Sequence, residues 1–582
     1  MTLFAGIFSR TAAHSIPDSM CDTLRANISR HPNDQVKEYR AQRCYIASID
    51  IGAYGESGFR ISSHGTLALL TGEPLLKLDA SNSWQTRTQD LEALHQSWDN
   101  NDWSLLRRAT GVFSAVYYAP ADATLRLISD KLCIRPLYYW ISDQFVVFAS
   151  ALRTLTSVEQ IPKVMDVRAV TEIVSLGLPL GTRTGYAHIG LMRAAEVLEI
   201  SERKIGREQY WRWDAIRQSR HNETQLLKEV HEGFTQAIAK RARADRSTVS
   251  FLSGGLDSRC IVATLRERQN EVHTFNFART GTQDQVLGAE FAKRVMTIHE
   301  EVPLKTYASP RWSLIMAEAW SASRKRLVSP PERPSLIWSG DGGSVGFGHV
   351  YVSQRIVELM RAGQKDRAIE EFLIQQGAHI PQRLLKQDIG AALSNSLRED
   401  IREELDDIKA EDPGRGFYIF LLVNDQRRHL ALHFEDIDLH RLEFQLPFYD
   451  SELLARIVST PVDLCLDHKF YAKWLNYLPP VVTSVPWQTY PGHEPCPLPI
   501  PEELSYQWDA QLNRARRSEL LSEATQILRG RDFPRSILNR HYLAMTTWLY
   551  RLGLRDFGYL IHAASIYNQY WAQCGGKYAM NI

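Results

Sequence analysis

Apolar and polar positions alternate along this chain in two distinct regimes. Up to about residue 210 the apolar residues come in short runs, among them Tyr45-Ile-Ala-Ser-Ile, Gly111-Val-Phe-Ser-Ala-Val-Tyr-Tyr, Thr124-Leu-Arg-Leu-Ile and Phe145-Val-Val-Phe-Ala. Runs of this length, rich in β-branched and aromatic residues, predict strands of a layered sheet with few helices. Beyond about Asn222 the period lengthens to that of helices, as in Leu226 to Arg241 and Gln364 to Gln376, with buried strands predicted at Thr248 to Leu252, His273 to Phe277 and Leu336 to Ser339. Strands interleaved with helices imply a parallel α/β sheet followed by further helices. The change of regime sets a boundary in the polar stretch Trp211 to Asn222, with domains expected over 1–212 and 223–582. Pro479 to Pro501 is the main irregular segment, and no repeats or low-complexity tracts interrupt the chain.

One junction between strand and helix carries chemistry. Val249-Ser-Phe-Leu-Ser-Gly-Gly-Leu-Asp-Ser258 is an apolar strand ending in Ser-Gly-Gly-x-Asp-Ser, followed by a helix predicted from about Leu256 to Arg268. Gly254 and Gly255 allow close approach of the backbone to an anion, and the helix start turns amides and a positive dipole end toward it. Ser253 and Ser258 add hydroxyl donors, while Asp257 suits a Mg²⁺ ion bridging phosphate oxygens. No Gly-x-x-x-x-Gly-Lys-Ser/Thr is present, and the loop instead resembles that of the ATP pyrophosphatases.

Composition narrows the remaining classes. At 582 residues the chain exceeds one core, since domains run to about 150 residues. Its 68 basic and 67 acidic residues leave a net charge of +1, so no overall field favours nucleic acid or an anionic membrane. No segment approaches the roughly 18 apolar residues of a membrane span, and seven widely spaced cysteines without a Cys-x-x-Cys fit reduced thiols. A soluble cytoplasmic protein is expected, and its oligomeric state cannot be read.

The order of motifs resembles the glutamine-dependent asparagine synthetases over most of the chain. Phe4-Ala-Gly-Ile-Phe8, Gly111 to Ala115, Ser129-Asp-Lys-Leu-Cys-Ile-Arg-Pro-Leu-Tyr-Tyr139 and Phe148-Ala-Ser150 follow the landmarks of that family's glutaminase domain. The loop at 253–258, Ser339-Gly-Asp-Gly-Gly-Ser-Val-Gly-Phe-Gly348 and Leu442 to Asp450 follow those of its synthetase domain. The resemblance implies an Ntn-hydrolase-like αββα sandwich and then a parallel-sheet ATP-pyrophosphatase domain with extra helices, using ATP and Mg²⁺. It also implies that the backbones of Leu252 and Phe277 flank adenine and ribose. Leu256 falls within the phosphate loop, Ser339 and Gly340 line the acyl-adenylate pocket, and Asp341 stands near the reacting centre, where a carboxylate can accept a proton from an amine.

Four departures reshape that expectation. Ala5 occupies the place of the family's nucleophilic cysteine, Thr2 precedes the motif by three positions, and Thr71-Gly-Glu73 replaces an Asn-Gly-Glu element. Glutamine hydrolysis is therefore not expected, since a methyl group is no nucleophile, and the domain reads as a scaffold. Ser344 and Val345 stand where the family has a second magnesium-binding aspartate and a glutamate, leaving Asp257, with Asp341 or Asp284 as substitutes. Val485 to Cys496 lacks the family's lysine, so Tyr490 or His493 would supply the donor, Lys469 and Lys473 belonging to the preceding helix. His429 and His433 stand four apart with Glu435, Asp436 and His440 following, a zinc-like spacing without a fourth ligand pattern, and His493 with Cys496 reads as an ordered loop. The basic run Ser321 to Pro334 reads as a solvated loop, and the aromatic C-terminus as packing.

The expected activity is an ATP-dependent amide-forming ligase that adenylates a small-molecule or peptide carboxylate and transfers it to an amine, without glutamine hydrolysis. Family members that lack the cysteine include the β-lactam synthetases and lasso-peptide cyclases of natural-product pathways. Ammonia-fed asparagine synthesis and a non-catalytic nucleotide-binding role stand as alternatives.

Overall fold

The computed structural model describes residues 2–76, 84–304, 310–506 and 513–580, without the side chains of 426–429 and 513. The strand-like runs of the first 210 residues build two six-stranded antiparallel sheets. At the centre of one lies Leu3–Ser9, paired with Cys44–Ile49 on one side and Phe145–Ala149 on the other. The other sheet is built around Phe113–Ala119, paired with Leu67–Gly72 and Thr124–Ser129. Phe4, Phe8, Val116, Leu125 and Leu127 are buried in one cluster between the layers, as stacked sheets require.

Three helices of ten residues or more interrupt this half: Asp18–Asn27, Arg87–Asp99 and Val167–Leu176, where few were expected. Arg87–Asp99 forms because Thr86 and Gln89 close a capping box at its start and because Leu91, Leu94, His95 and Trp98 bury one face. The spacing is helical, but the polar residues between those positions mask it.

From residue 247 the chain lays down five parallel strands in the order Ile298–Glu301, Glu271–Asn276, Ser247–Phe251, Leu336–Trp338, Glu443–Gln445. Ser247–Phe251 is central. The chain first builds outward on one side of it and then returns to the other, which makes its carboxyl end the switch point where α/β sheets bind ligands. The helix Glu223–Ala242 precedes the sheet, capped by Asn222, whose side chain accepts from the Gln225 amide. Ser321 to Arg324 complete the helix Trp312–Arg324, so the basic run expected as loop is helical at its start. The helices from Gln354 to Gln573 follow, and Tyr578–Ala579 pairs with Met165–Asp166, returning the chain to its N-terminal half.

The two halves meet through buried charge. Arg135, next to the strand Tyr138–Ile141, forms an ion pair with Glu443 of the parallel sheet, both buried. Arg243 pairs with Glu73 at 2.7 Å. Within the second half, Asp450, fully buried, takes Lys240 and Arg241 at 2.9 Å each and caps the helix Ser451–Ser459. Burial alone would push the Asp450 carboxyl up, but Lys240 and Arg241 outweigh it and hold it below the usual carboxylate range.

A folded value below the unfolded one means that Asp450 stabilises the fold above the normal carboxylate range and loses that contribution as pH falls through its folded value. Asp450→Asn removes the counter-charge that two buried cations share, leaving Lys240 only the Glu452 carboxylate at 3.8 Å among the described residues, and should cost on the order of 3 kcal/mol. Denaturant unfolding of wild type and variant at pH 7 and in acid tests this: the gap should shrink as the pH drops, and an equal gap at both would refute the assignment.

Candidate active site

The strand Ser247–Phe251 delivers Leu252 to Ser258 to the switch point, and the helix Asp257–Glu267 begins there with no side-chain cap. Its first amides therefore lack an intrahelical partner, as those of any helix start do. The loop's upstream amides are occupied: Ser253 N donates to Ser258 Oγ at 3.0 Å, Gly254 N to Asp284 Oδ1 at 2.8 Å and Gly255 N to Ser253 Oγ at 3.2 Å. The glycines thus serve close packing more than open anion contact. A Cβ on Gly254 would come within 2.6 Å of the Gln283 carbonyl. Asp284, the suggested alternative metal ligand, is pushed up to about 6 by burial, with the Gly254 amide opposing.

Asp257 is the junction of the site. Its Oδ1 accepts from the Tyr471 hydroxyl at 2.6 Å, and its Oδ2 accepts from both the amide and the hydroxyl of Ser344 at 2.9 Å. Burial pushes its carboxyl above the usual range, the Tyr471 and Ser344 bonds opposing. The approach is possible because residues 340 and 343 are glycines: a Cβ at Gly343 would lie 2.3 Å from Asp257 Cγ, and one at Gly340 2.8 Å from Ser258 N. Ser344, read from sequence as a lost metal ligand, is a hydrogen-bond donor to the remaining one.

These segments border one cleft of about 450 Å³. Leu252, Ser253, Asp257, Ser258, Phe277, Ser339, Gly340 and Asp341 all line it, while Gly255 and Leu256 line an adjoining cavity of about 200 Å³ and Gly254 lies behind both. The Ser339 hydroxyl donates to Asp341 Oδ2, so Asp341 is held by its own turn with Gly342 at φ +91°. Leu252 is tied into the sheet, its amide donating to Phe275 O and its carbonyl accepting from Asn276 Nδ2. Aromatic rings form one wall: Phe251 lies edge-on to Phe277 and Phe444, with Trp312 6.4 Å from Phe277. Flat apolar faces of this kind suit a planar ring.

Tyr490 lines both cavities. His493 is held to its own turn through Pro491 O. Lys469 and Lys473 lie in the helix Lys469–Trp474, as expected, paired with Asp467 and Glu223, and border neither cavity. Arg311 is the one arginine or lysine lining the cleft among the described residues, paired with Asp436. The side chain of His429 lies outside the described residues. His433 lies flat against Phe444 at 3.6 Å and against His440 at 4.5 Å. Its Nδ1 meets Ser313 Oγ at 2.9 Å, and burial drives its pKa well below the usual value. His440 donates from Nε2 to His433 O and accepts at Nδ1 from Leu442 N, a neutral ring at about 4, lowered by burial. This pair is stacked wall.

Ala5 is fully buried in mid-strand, its neighbours across the sheet being Ala47 and Ala149. Thr71 shares a hydrogen bond with Ser114 at 2.9 Å, and Thr2 Oγ1 accepts from Ile51 N.

Sequence reasoning missed Tyr471, Arg311 and Arg259. Arg259 is fully buried and donates to the carbonyls of Val482, Val485 and Pro486, burial lowering it to about 10. With Gln488 N donating to Gly254 O at 3.0 Å, it fixes the segment bearing Tyr490 over the loop. An arginine two residues after Asp257 in an otherwise apolar helix face was the available signal; Tyr471 gave none.

A glutamine amidotransferase domain family matches residues 76–211 and the asparagine synthase family matches 229–315. A putative glutamine-hydrolyzing asparagine synthetase 2 of Methanocaldococcus jannaschii is 23% identical over 217 residues, 36% of this chain and 42% of that protein. The glutamine-hydrolyzing asparagine synthetases 3 and 1 of Bacillus subtilis are 24% and 25% identical over 198 and 201 residues, 33% and 34% of this chain and 32% of each relative. The matched region thus spans less than half the length of these relatives. An amidotransferase-family match followed by an asparagine synthase match, together with these relatives, supports the asparagine synthetase family as the one this chain is similar to.

Proposed function

We propose that the protein is an ATP-dependent C–N ligase that adenylates a substrate carboxylate, releases pyrophosphate and passes the acyl group to an amine without hydrolysing glutamine. The observation that carries this reading is the convergence of the 253–258 loop, Ser339 to Asp341 and the Asp257–Ser344–Tyr471 cluster on one cleft at the sheet's switch point. The start of the helix Asp257–Glu267 would hold the triphosphate, with the base against the aromatic wall. A carboxylate oxygen bonds to the α-phosphorus as the bond to the β-phosphate oxygen breaks and pyrophosphate leaves. The amine nitrogen then bonds to the acyl carbon, AMP departs with the electron pair, and the amine's proton passes to Asp341. Arg311 supplies positive charge in the cleft, in the role that the family's lysine would have. The work is positioning and charge stabilisation.

Magnesium fits this donor set. Each Asp257 oxygen accepts from the protein while the residue lines the cleft, and magnesium is commonly held by one or two carboxylates with phosphates and water. Asp257 would hold it, and when bound it would screen the triphosphate charge. Absence of glutaminase chemistry is supported by Ala5, buried within a strand. A place in natural-product or peptide biosynthesis rests on the resemblance to β-lactam synthetases and lasso-peptide cyclases.

Pyrophosphate release from ATP and Mg²⁺ across a panel of aspartate, amino-acid and peptide carboxylates should show turnover with at least one acid and no stimulation by glutamine. Stimulation by glutamine removes the glutaminase-free reading, turnover confined to aspartate with ammonia makes the protein an asparagine synthetase, and silence throughout makes it a nucleotide binder.

Ser344→Asp sets a second anion against Asp257 in place of the hydroxyl donor, the residue-344 amide remaining, and pyrophosphate release should fall at least tenfold; a rise would mark Ser344 as simple loss. Arg311→Gln should lower the turnover rate about a hundredfold, the scale of one lost electrostatic donor, with a smaller change in the KM for ATP. An unchanged rate would exclude Arg311 from the reaction.

A further inference from the structure

Beyond the cleft, a second cavity of about 420 Å³ lies between the two halves of the chain. It is walled by Ile134 and Tyr138 on one side, Ile173 and Leu178 on another, and Ile566 and Tyr570 of the last long helix. It is not isolated. Leu432, with 71% of its surface exposed, lines both this cavity and the nucleotide cleft. A small space of about 80 Å³ shares Tyr351 with the cleft and Leu178 and Asn424 with the second cavity. The helix Gln426–Glu435 thus faces both: His433 borders the cleft, whereas Ala431 and Glu435 border the second cavity.

The chemistry of the second cavity selects its occupant. Its charged groups are already committed: Arg183 to Glu172 at 2.5 Å and Asp400 at 3.0 Å, and Arg153 to Asp438 at 3.2 Å. Glu435 accepts from the amides of Leu152 and Arg153. What remains is apolar wall with a few hydroxyl and amide groups, the usual make-up of a small-molecule site. A cleft of about 450 Å³ accommodates a nucleotide, and a small amino acid would need no second chamber.

We propose that the second cavity binds the apolar, uncharged body of an elongated carboxylate substrate, whose carboxylate reaches past Leu432 to the nucleotide. This rests on the ligase reading for what happens at the carboxylate, but not for binding. The same chemistry would be offered by an acyl tail or by the apolar side chains of a short peptide.

The test uses the full chain saturated with α,β-methylene-ATP and Mg²⁺, which cannot release pyrophosphate, and calorimetric titration with acetate, decanoate and acetyl-Leu-Leu-Gly. At least one long probe should bind about tenfold or more tighter than acetate, since burying even two methylenes yields that ratio; decanoate alone points to acyl substrates, the peptide to peptidic ones. Gln569→Trp, at an exposed position on the rim, and Leu178→Trp, on the wall, fill the cavity. At least one variant with an unchanged melting transition should lose most of the gain while nucleotide affinity stays within twofold. No gain with either probe, or full gain in both variants, overturns the proposal. Tight probe binding without pyrophosphate release on any acid would sink the ligase reading alone, and release with a probe gain that both variants retain would sink only the second site.

Discussion

The site depends on the Asp257 carboxylate, which takes three hydrogen bonds from two segments, one from Tyr471 and two from Ser344. Hydrogen bonds to an ionised acceptor are about twice as strong as neutral ones, and the carboxylate needs them because burial acts against its charge. The glycines at 340 and 343 follow from the same requirement, since any side chain there would collide with the Asp257–Ser258 turn. So does Arg259, whose three bonds to carbonyls of 482–486 hold the far wall against the same helix. Each feature answers the problem of bringing an anion-binding helix start, a half-buried acid and two crossing loops within a few ångströms.

The N-terminal half persists because it shapes the cleft. Arg30 donates to both oxygens of Asp438 and pairs with Asp436, and the amides of Leu152 and Arg153 bind Glu435. These contacts fix the segment 433–440, which brings His433 and Asp436 to the cleft and, through Asp436, Arg311. Arg135 does the same for the edge strand through Glu443. On the proposed reading the amidotransferase-like half thus has a mechanical function, and removing it would leave Asp438 and Glu443 without their cations and Glu435 without its amide donors, a costly state.

What could be read from the chain follows the range of the interactions. The parallel strands, the 253–258 turn and the two regimes were legible because periodicity and local turn chemistry write them into neighbouring residues. The helix Arg87–Asp99 was missed since its apolar positions are diluted by polar ones, and the helical start of 321–334 since its charges resemble a loop's. Tyr471 lies 214 positions from Asp257, and Arg311 reaches the cleft only through the fold. Gly254 and Gly255 were seen as special, but for open amides; their amides turn to Asp284 and Ser253 instead, a choice only tertiary packing dictates.

The departures that made the synthetase half look eroded become coherent when the partners of the remaining groups are followed. By resemblance, the family has an aspartate at 344, a glutamate at 345 and a lysine in the segment around Tyr490, so their joint loss removes two negative charges and one positive. Decay at random would leave orphaned partners, and a buried carboxylate without its counterparts would be strongly destabilised. Here the hydroxyl at 344 donates to Asp257, Tyr471 caps the other oxygen, and Arg311 with Asp436 brings a cation and its counter-charge to the cleft from another direction. A rearrangement that leaves the remaining carboxylate bonded on both oxygens is what a site reshaped around a different substrate would require. A bulkier carboxylate would need the space that an additional aspartate and lysine would fill, and beyond Leu432 the adjoining cavity extends that space.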